Sequence, residues 1–259
     1  MSGAGEGRPR PGSAAGPAAR PPTRLLLFDV DGTLVQCGGI GLRSLLRTAA
    51  RWADRPVAER LGLAADGMTD PVLAAQALQE ARGHGPADQA ELQRFLAEYE
   101  AELAAGLQGA HGYRVLPGVR PLLEALSQRP GLGIGLGTGN TERGARLKLG
   151  RGDLHPFFTF GGYGSDSADR AELLARGRQR GEQVLGEAVD PRAVVVVGDT
   201  VRDIAAARAN GFCVVAVATG SSSVQTLAAA APDQVLESLT DLGSSLAALL
   251  GDPSPPQAN

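Results

Sequence analysis

Short apolar runs and amphipathic stretches alternate along most of this chain. Apolar runs occur at 25–28, 132–136, 194–197, 212–217 and 234–236. These runs are continuous rather than alternating with polar residues, which is typical of strands buried on both faces of a parallel sheet. Helical patterns lie between them at 119–128, 141–149, 168–187, 203–209 and 223–230. The alternation predicts an α/β fold with a doubly wound, mostly parallel sheet.

One region interrupts this alternation. Residues 37–112 contain no β-branched run, and their pattern is helical throughout. Within them, Asp70 and Pro71 predict the N-cap and the first position of a helix. Apolar residues between positions 92 and 107 recur at helical spacing, which predicts a helix that packs through one face. We therefore predict an all-helical cap domain over 37–112, inserted after the first strand of the α/β core.

The other domain boundaries follow from composition. The α/β core is predicted to comprise residues 24–36 and 113–250, on either side of the cap. Residues 1–23 and 251–259 are rich in small residues and proline and offer little to bury. That composition predicts a disordered leader and a disordered tail.

Charge and cysteine usage narrow the class of protein. The formal net charge of −3 gives no basic field for nucleic acid or for an anionic membrane. No apolar stretch approaches the ~20 residues that a membrane span needs, and the start of the chain has no apolar segment of a secretory signal. Two cysteines cannot form a disulfide framework. We expect a globular cytoplasmic protein without nucleic-acid or membrane partners, and the sequence leaves its oligomeric state open.

Carboxylates and hydroxyls gather where the stronger strands end. The first run is followed by Asp29 and Asp31, the second by Thr138, and the third by Asp199 and Asp203. Ligands of open parallel sheets bind outside the carboxyl ends of the strands, so we expect these groups to share one crevice. Asp29 and Asp31 are two residues apart, and in extended chain both side chains can face the same cavity.

Several carboxylates in one crevice repel one another unless a cation joins them. Mg²⁺ is the simplest such cation, because it prefers oxygen ligands and commonly combines one or two carboxylates with substrate oxygens. The Thr138 hydroxyl and the backbone N–H groups of Gly139 and of the turn at Gly32 suit phosphate oxygens. A carboxylate beside a metal-bound phosphoryl group can act as a nucleophile, and a second one can transfer the proton of the leaving group.

The motifs resemble those of a known enzyme superfamily. The chain is similar to the haloacid dehalogenase (HAD) superfamily of phosphohydrolases in three segments, which are Phe28-Asp-Val-Asp-Gly-Thr-Leu34, Thr138 and Gly198-Asp-Thr-Val-Arg-Asp203. The helical insertion resembles the cap of phosphoglycolate phosphatases and of phosphoglucomutase relatives. The resemblance implies a HAD-like Rossmannoid core and a Mg²⁺-dependent phosphatase that acts on a small phosphorylated metabolite.

The resemblance also implies a role for each of these residues. Asp29 would be the nucleophile that forms an aspartyl-phosphate, and Asp31 would be the general acid and then the base that activates water. The carboxylates of Asp29 and Asp199 and the backbone carbonyl of Asp31 would hold Mg²⁺. Asp203 would support the metal through water or orient its ligands, and Thr138 would bind a phosphoryl oxygen.

The superfamily further places a Lys or Arg beside the phosphoryl group, and two residues compete for this role. Lys148 is the chain's one lysine, but it lies about seven residues into the helix after Thr138. At 1.5 Å per residue, that position is ~10 Å or more from the active edge. Arg170 begins the helix that leads to the third strong strand, where the chain is back at this edge. We therefore predict Arg170 as the active-site cation, although the Lys-Pro dipeptide of many relatives is absent there.

Other activities of the superfamily can be compared with the residues present in this chain. Phosphonatases need a cap lysine, and residues 37–112 contain none. Dehalogenases of the superfamily lack the second acidic residue of the first motif, which is present here as Asp31. Phosphoglucomutase-like phosphoryl transfer remains an alternative because such enzymes keep both acidic residues. A non-catalytic phosphate-binding or signalling relative is a further alternative, although every acidic motif position is intact.

Overall fold

A computed structural model describes residues 23–53, 67–83 and 88–251 of the chain. The predicted leader therefore lies outside the described residues except for Thr23, and the predicted tail except for Gly251. The strands are β1 (Arg24–Phe28), β2 (Val35–Cys37), β3 (Tyr113–Val115), β4 (Leu132–Thr138), β5 (Phe160–Tyr163), β6 (Val194–Gly198), β7 (Cys213–Val217) and β8 (Gln234–Leu236).

Six of these strands form a parallel sheet in the order β5-β4-β1-β6-β7-β8, and β2 and β3 form a separate antiparallel pair. The helices are α1 (Ile40–Trp52), α2 (Asp70–Arg82), α3 (Gln89–Gln108), α4 (Val119–Ser127), α5 (Glu142–Gly150), α6 (Arg170–Leu185), α7 (Val201–Ala209), α8 (Val224–Ala229) and α9 (Leu242–Leu250). The predicted doubly wound α/β fold is confirmed. Within the described residues, no helix combines the length and the apolar character that a membrane crossing requires.

The central strands are apolar throughout because both faces of the sheet are covered. In β1, Leu26 and Phe28 belong to one hydrophobic core, whereas Leu25 and Leu27 belong to a second core on the opposite face. The valines of β6 divide between the same two cores in the same way. Each such side chain contributes about 1.5–3 kcal/mol when it is fully buried. The continuous run is therefore the signature of a central strand rather than of a strand with one wet face.

Helices α1, α2 and α3 lie between the two short strands β2 and β3 and pack on one another. Val35 of β2 is opposite Val115 of β3, so the chain enters and leaves the helical segment side by side. Cys37, predicted as the first residue of the helical insertion, is the last residue of β2. The N-cap of α2 is Thr69, and the predicted cap residue Asp70 is the first residue of the helix.

Strand β1 lies at the point where the sheet changes direction. The chain proceeds from β1 to β4 and β5 on one side, and then to β6, β7 and β8 on the other. The carboxyl ends of β1, β4 and β6 are therefore neighbours at a topological switch point, where open α/β sheets bind their ligands.

Candidate active site

The crevice is built around Asp29, which directly follows β1. Its carboxylate is buried, and its Oδ1 lies 3.0 Å from Nη2 of Arg170, the first residue of α6. The hydroxyl of Thr138, at the end of β4, is close enough to Asp29 to lower the pKa of its carboxyl. The structure thus brings together the predicted nucleophile, the predicted phosphate-binding threonine and the predicted cation.

A group of three carboxylates forms the candidate metal site. Asp29, Asp199 and Asp203 each present an oxygen, and these oxygens lie within 4.8 Å of one another. Gly32 makes room for this arrangement: its φ is +80°, and a Cβ on it would lie 2.4 Å from Oδ2 of Asp199. The predicted contribution of Asp31 to the metal is its backbone carbonyl, and its carboxylate is not part of this group.

Electrostatics explain why the group fits a hard cation. Burial raises the pKa of Asp29, and the nearby charge of Asp203 raises it further, while the Arg170 guanidinium acts in the opposite direction. Burial also raises the pKa of Asp199, and the charges of Asp29 and Asp203 add to the effect. The ionised form of the group is therefore costly, and a divalent cation with a preference for oxygen would stabilise it.

Asp203 is held in place from two sides. Its Oδ1 accepts hydrogen bonds from Nε and Nη2 of Arg170 at 2.8 and 2.7 Å. Its Oδ2 accepts from the backbone N–H and the hydroxyl of Thr200 at 3.1 and 2.7 Å, in a capping box at the start of α7. Gly198 permits this approach, since a Cβ there would lie 2.4 Å from Cγ of Asp203. Asp203 thus fixes Arg170 against Asp29.

Lys148 lies in the same crevice, and the predicted distance from the active edge is wrong. Its Nζ is 2.5 Å from Oδ2 of Asp31 and also contacts Oδ1 of Asn140. The prediction counted only the rise of the backbone along α5. Side chains of a helix lean toward its N-terminus, so the long lysine side chain spans the remaining distance. Arg170 and Lys148 are therefore both at the site, and they contact different carboxylates.

Asn140 is a site residue whose role was not predicted from the sequence. Its side-chain amide donates to Oδ2 of Asp31 at 2.9 Å and to the Thr138 hydroxyl at 2.9 Å. Burial opposes the charge on Asp31, but Lys148 and Asn140 outweigh this and lower the pKa of Asp31. The position of Asn140, two residues after Thr138 at a strand end, was the available signal.

The helical segment closes the crevice from above and leaves a cavity of about 540 Å³. The side chains that it contributes to the lining are Leu42, Leu45, Met68, Asp70, Leu73 and Tyr99. Tyr99 belongs to the apolar stripe of α3, and the sequence pattern explained it as packing. Only the structure shows that it faces the predicted catalytic groups.

The loop that carries Gly139 is in direct contact with the start of α2. The backbone N–H of Asp70 donates to the Gly139 carbonyl at 2.7 Å, and Oδ2 of Asp70 accepts from the Thr141 N–H at 3.0 Å. A Cβ on Gly139 would lie 2.7 Å from the carbonyl oxygen of Met68. The predicted phosphate-binding loop therefore has the helical segment packed against it.

Comparison with known proteins agrees with this geometry. A family model described as haloacid dehalogenase-like hydrolase matches residues 23–211. A phosphoglycolate phosphatase from Synechococcus elongatus is 30% identical over 217 residues, which cover 84% of this chain and 94% of that protein. The predicted resemblance to the HAD superfamily is confirmed.

Solved structures with the same fold include both a phosphatase and a mutase by name. A predicted phosphoglycolate phosphatase from Haemophilus somnus 129pt superposes with a TM-score of 0.65 at 21% identity, covering 86% of this chain and 97% of that one. A β-phosphoglucomutase from Clostridium difficile superposes with a TM-score of 0.63 at 15% identity, covering 85% and 93%. At these identities the likeness concerns the fold alone.

Proposed function

Since the chain belongs to the haloacid dehalogenase-like hydrolase family and is a phosphatase, we propose that it hydrolyses a small organic phosphomonoester in a Mg²⁺-dependent reaction through an aspartyl-phosphate on Asp29. The observation that carries the proposal is the placement of Asp29. Its carboxylate belongs to the three-carboxylate group and is 3.0 Å from Arg170, and the predicted acid, Asp31, is two residues further along.

In the first half of the proposed reaction, a carboxylate oxygen of Asp29 attacks phosphorus. The bond from phosphorus to the leaving oxygen breaks, and its electron pair stays on that oxygen, which takes a proton from Asp31. Arg170 and the Thr138 hydroxyl stabilise the charge on the phosphoryl oxygens, together with the N–H group of Gly139. The Gly32 N–H, which the sequence predicts for the same task, instead donates to the Val35 carbonyl at 2.9 Å, so the prediction for Gly32 is wrong.

In the second half, Asp31 takes a proton from a water molecule, whose oxygen attacks phosphorus. The bond from phosphorus to the Asp29 oxygen breaks, which restores the Asp29 carboxylate and releases inorganic phosphate. Asp31 has then regained the proton that it gave to the leaving alcohol. Asp29, Asp199, Asp203 and the backbone carbonyl of Asp31 would hold Mg²⁺, which when bound supplies positive charge beside the phosphoryl oxygens.

The substrate class is proposed from the cavity and from the named relative. A cavity of about 540 Å³ suits a small metabolite. The relative from Synechococcus elongatus is a phosphoglycolate phosphatase, so phosphoglycolate is the first compound to test. Both cysteines are unpaired and buried, which supports a reducing, cytoplasmic location as part of the proposal.

The test is release of inorganic phosphate from a panel of phosphoglycolate, sugar phosphates, nucleotides and an aryl phosphate, with Mg²⁺ and with a chelator. Release should require Mg²⁺ and should disappear in Asp29→Asn. Asp241→Asn changes an exposed carboxylate at the start of α9 and should keep full activity. Asp31→Asn is treated with the aryl phosphate and then quenched with acid. Because this variant lacks the base that activates water, it should carry phosphate on Asp29.

Two results would contradict the proposal. Near-normal phosphate release by Asp29→Asn would rule out this residue as the nucleophile. Isomerisation of a sugar phosphate without net release of phosphate would replace the hydrolase by the mutase alternative.

A further inference from the structure

We infer that Lys148 is a positioning residue, which together with Asn140 holds the Asp31 carboxylate in the orientation needed to protonate the leaving group. The inference rests on the proposed function because it assumes that Asp31 is the acid. It assigns to the chain's one lysine a task different from that of Arg170.

The geometry that points to this task is a closed triangle of side chains. Lys148 Nζ lies 2.5 Å from Oδ2 of Asp31 and also contacts Oδ1 of Asn140. The Asn140 amide nitrogen completes the triangle with a hydrogen bond of 2.9 Å to the same Oδ2 of Asp31. Two donors on Oδ2 limit rotation of the carboxylate about its bond to Cβ. Because both donors occupy Oδ2, the proton that goes to the leaving group is carried by Oδ1.

The triangle leaves Asp31 accessible. The side chain of Lys148 is only 5% exposed, whereas that of Asp31 is 43% exposed and lines the cavity. One end of the ion pair is therefore fixed inside the protein and the other faces the space for substrate. This asymmetry is expected of a residue that orients a reacting group and does not itself contact the substrate.

Burying an ammonium group without structural gain is costly. An ion removed from water loses solvation free energy, which pairing only partly returns. An apolar side chain of the same volume would fill this place on α5 at lower cost. The charge of Lys148 also acts on the buried Asp70 carboxylate, but its direct contacts are with Asp31 and Asn140. Its position beside the predicted acid points to a task in catalysis.

The two cations contact different catalytic carboxylates, Arg170 the proposed nucleophile and Lys148 the proposed acid. Arg170 pairs with Asp29 and Asp203, on the side of the nucleophile, whereas Lys148 pairs with Asp31. Loss of Arg170 should therefore slow the reaction of every substrate. Loss of Lys148 should matter most for substrates whose leaving group must be protonated.

The experiment compares kcat/KM of Lys148→Met for an alkyl phosphate and for an aryl phosphate with a nitro-substituted ring. The value of kcat/KM reports the steps up to departure of the leaving group. A nitrophenolate departs without taking a proton, so its departure does not need the acid. General acids contribute ~10²–10⁴-fold, so we expect a loss of about 100-fold for the alkyl phosphate and of less than about 5-fold for the aryl phosphate. Equal losses for both substrates would overturn the inference.

Arg146→Met is the matched control. Arg146 is an exposed residue of α5 that pairs with Glu142, so its loss removes a positive charge from the same helix without touching Asp31. Both substrates should keep their wild-type kcat/KM in this variant. A selective loss for the alkyl phosphate in Arg146→Met would show that the effect is one of overall charge and would overturn the inference.

A double-mutant cycle with Asp31→Asn tests the connection directly. If Lys148 acts through Asp31, Lys148→Met should have little further effect on the alkyl phosphate in that background; fully additive losses would overturn the inference. Should Lys148→Met not fold, as judged by circular dichroism, Lys148→Gln and Asn140→Ala make the same comparison. Failure of the proposed function is distinguishable, because the wild-type protein would then hydrolyse neither phosphate.

Discussion

At the scale of the residue, Arg170 connects three parts of the site. Its guanidinium contacts the carboxylates of Asp29 and Asp203 and donates to the Gly67 carbonyl at 3.2 Å, which precedes α2. The side chain is nearly buried, and the neighbouring charges of Asp203 and Asp29 offset the cost of burying its own charge, so that the pKa of the guanidinium is raised. The arginine therefore keeps its charge throughout the reaction.

Replacement of Arg170 by alanine should lower kcat by about 10²–10³-fold, the usual loss when one preorganised donor to a developing negative charge is removed. The loss should be similar for alkyl and aryl phosphates, because the group acts on the phosphoryl oxygens. Steady-state kinetics on both substrates measure this. Arg176→Ala, an exposed position on the same helix, should retain wild-type kcat; a comparable loss there would contradict the assignment.

The spacing of residues along the chain predicts some members of the site and misses others. Asp29, Asp199 and Asp203 were predictable because each follows a strand whose end faces the crevice. Lys148 was misjudged because sequence spacing gives the rise of the backbone and not the reach and direction of a long side chain. Asn140 acquires its role from Asp31, 109 positions earlier, and such a partnership is set by the fold.

At the scale of the element, the apolar runs predicted five strands of the main sheet but not β5. That strand has the sequence Phe-Gly-Gly-Tyr, and its glycines hide the strand pattern. Gly162 is nevertheless required, since a Cβ there would lie 1.7 Å from the Leu173 carbonyl of α6. Strands β2 and β3 have three residues each, which is too short for a periodic pattern. Their pairing joins residues 35–37 to residues 113–115, which lie on either side of the helical segment along the chain.

The first residue of α2 also holds a loop of the α/β core in place. Asp70 is the first residue of α2, yet its carboxylate accepts from the N–H of Thr141, the N-cap residue of α5. Asp70 is buried with this partner, and burial raises the pKa of its carboxyl, whereas the nearby Tyr99 hydroxyl also acts to lower it. A residue of one helix thus orders the loop that precedes another, next to the proposed phosphate-binding groups.

Asp70→Ala should therefore loosen the loop at 139–141. We expect faster hydrogen exchange of the Thr141 amide and a fall in kcat/KM of about 10-fold, since leaving the buried Thr141 N–H without its acceptor costs about 1–3 kcal/mol. Asp88→Ala is the matched control, because Asp88 is an exposed N-cap residue of α3. It should cost ~1 kcal/mol of stability and leave kcat/KM unchanged. Unchanged exchange at Thr141 in Asp70→Ala would contradict the proposed role.

At the scale of the whole molecule, the fold concentrates negative charge where the sheet changes direction. Asp29 and Asp199 are buried there, and the pKa of each is raised above the ordinary value of 3.8. Without a metal, the folded protein therefore binds protons that the unfolded chain has already lost. Its stability falls as the pH rises from 3.8 through the raised pKa values, because these two groups must then ionise inside the protein.

Mg²⁺ should reverse this loss, and the effect should grow with pH. The cation binds the ionised carboxylates, so at low pH it must first displace their protons. At about 100 times its Kd, a ligand stabilises the folded state by ~2.7 kcal/mol, which corresponds to a rise in Tm of roughly 5–10 °C for a chain of this size. Thermal unfolding with and without Mg²⁺ measures the shift, which should be large at about pH 8.5 and small at about pH 5.5.

Asp199→Asn isolates the contribution of the site from that of all other titrating groups. The amide resembles the protonated carboxyl, so the metal-free variant should lose less stability than the wild type as the pH rises, and its Tm should respond little to Mg²⁺. Asp241→Asn changes the exposed N-cap residue of α9, which is not part of the carboxylate group, and should behave as the wild type in both respects. A shift with Mg²⁺ that is equal at both pH values, or that persists in Asp199→Asn, would mean that the cation binds elsewhere and that the buried carboxylates are not its ligands.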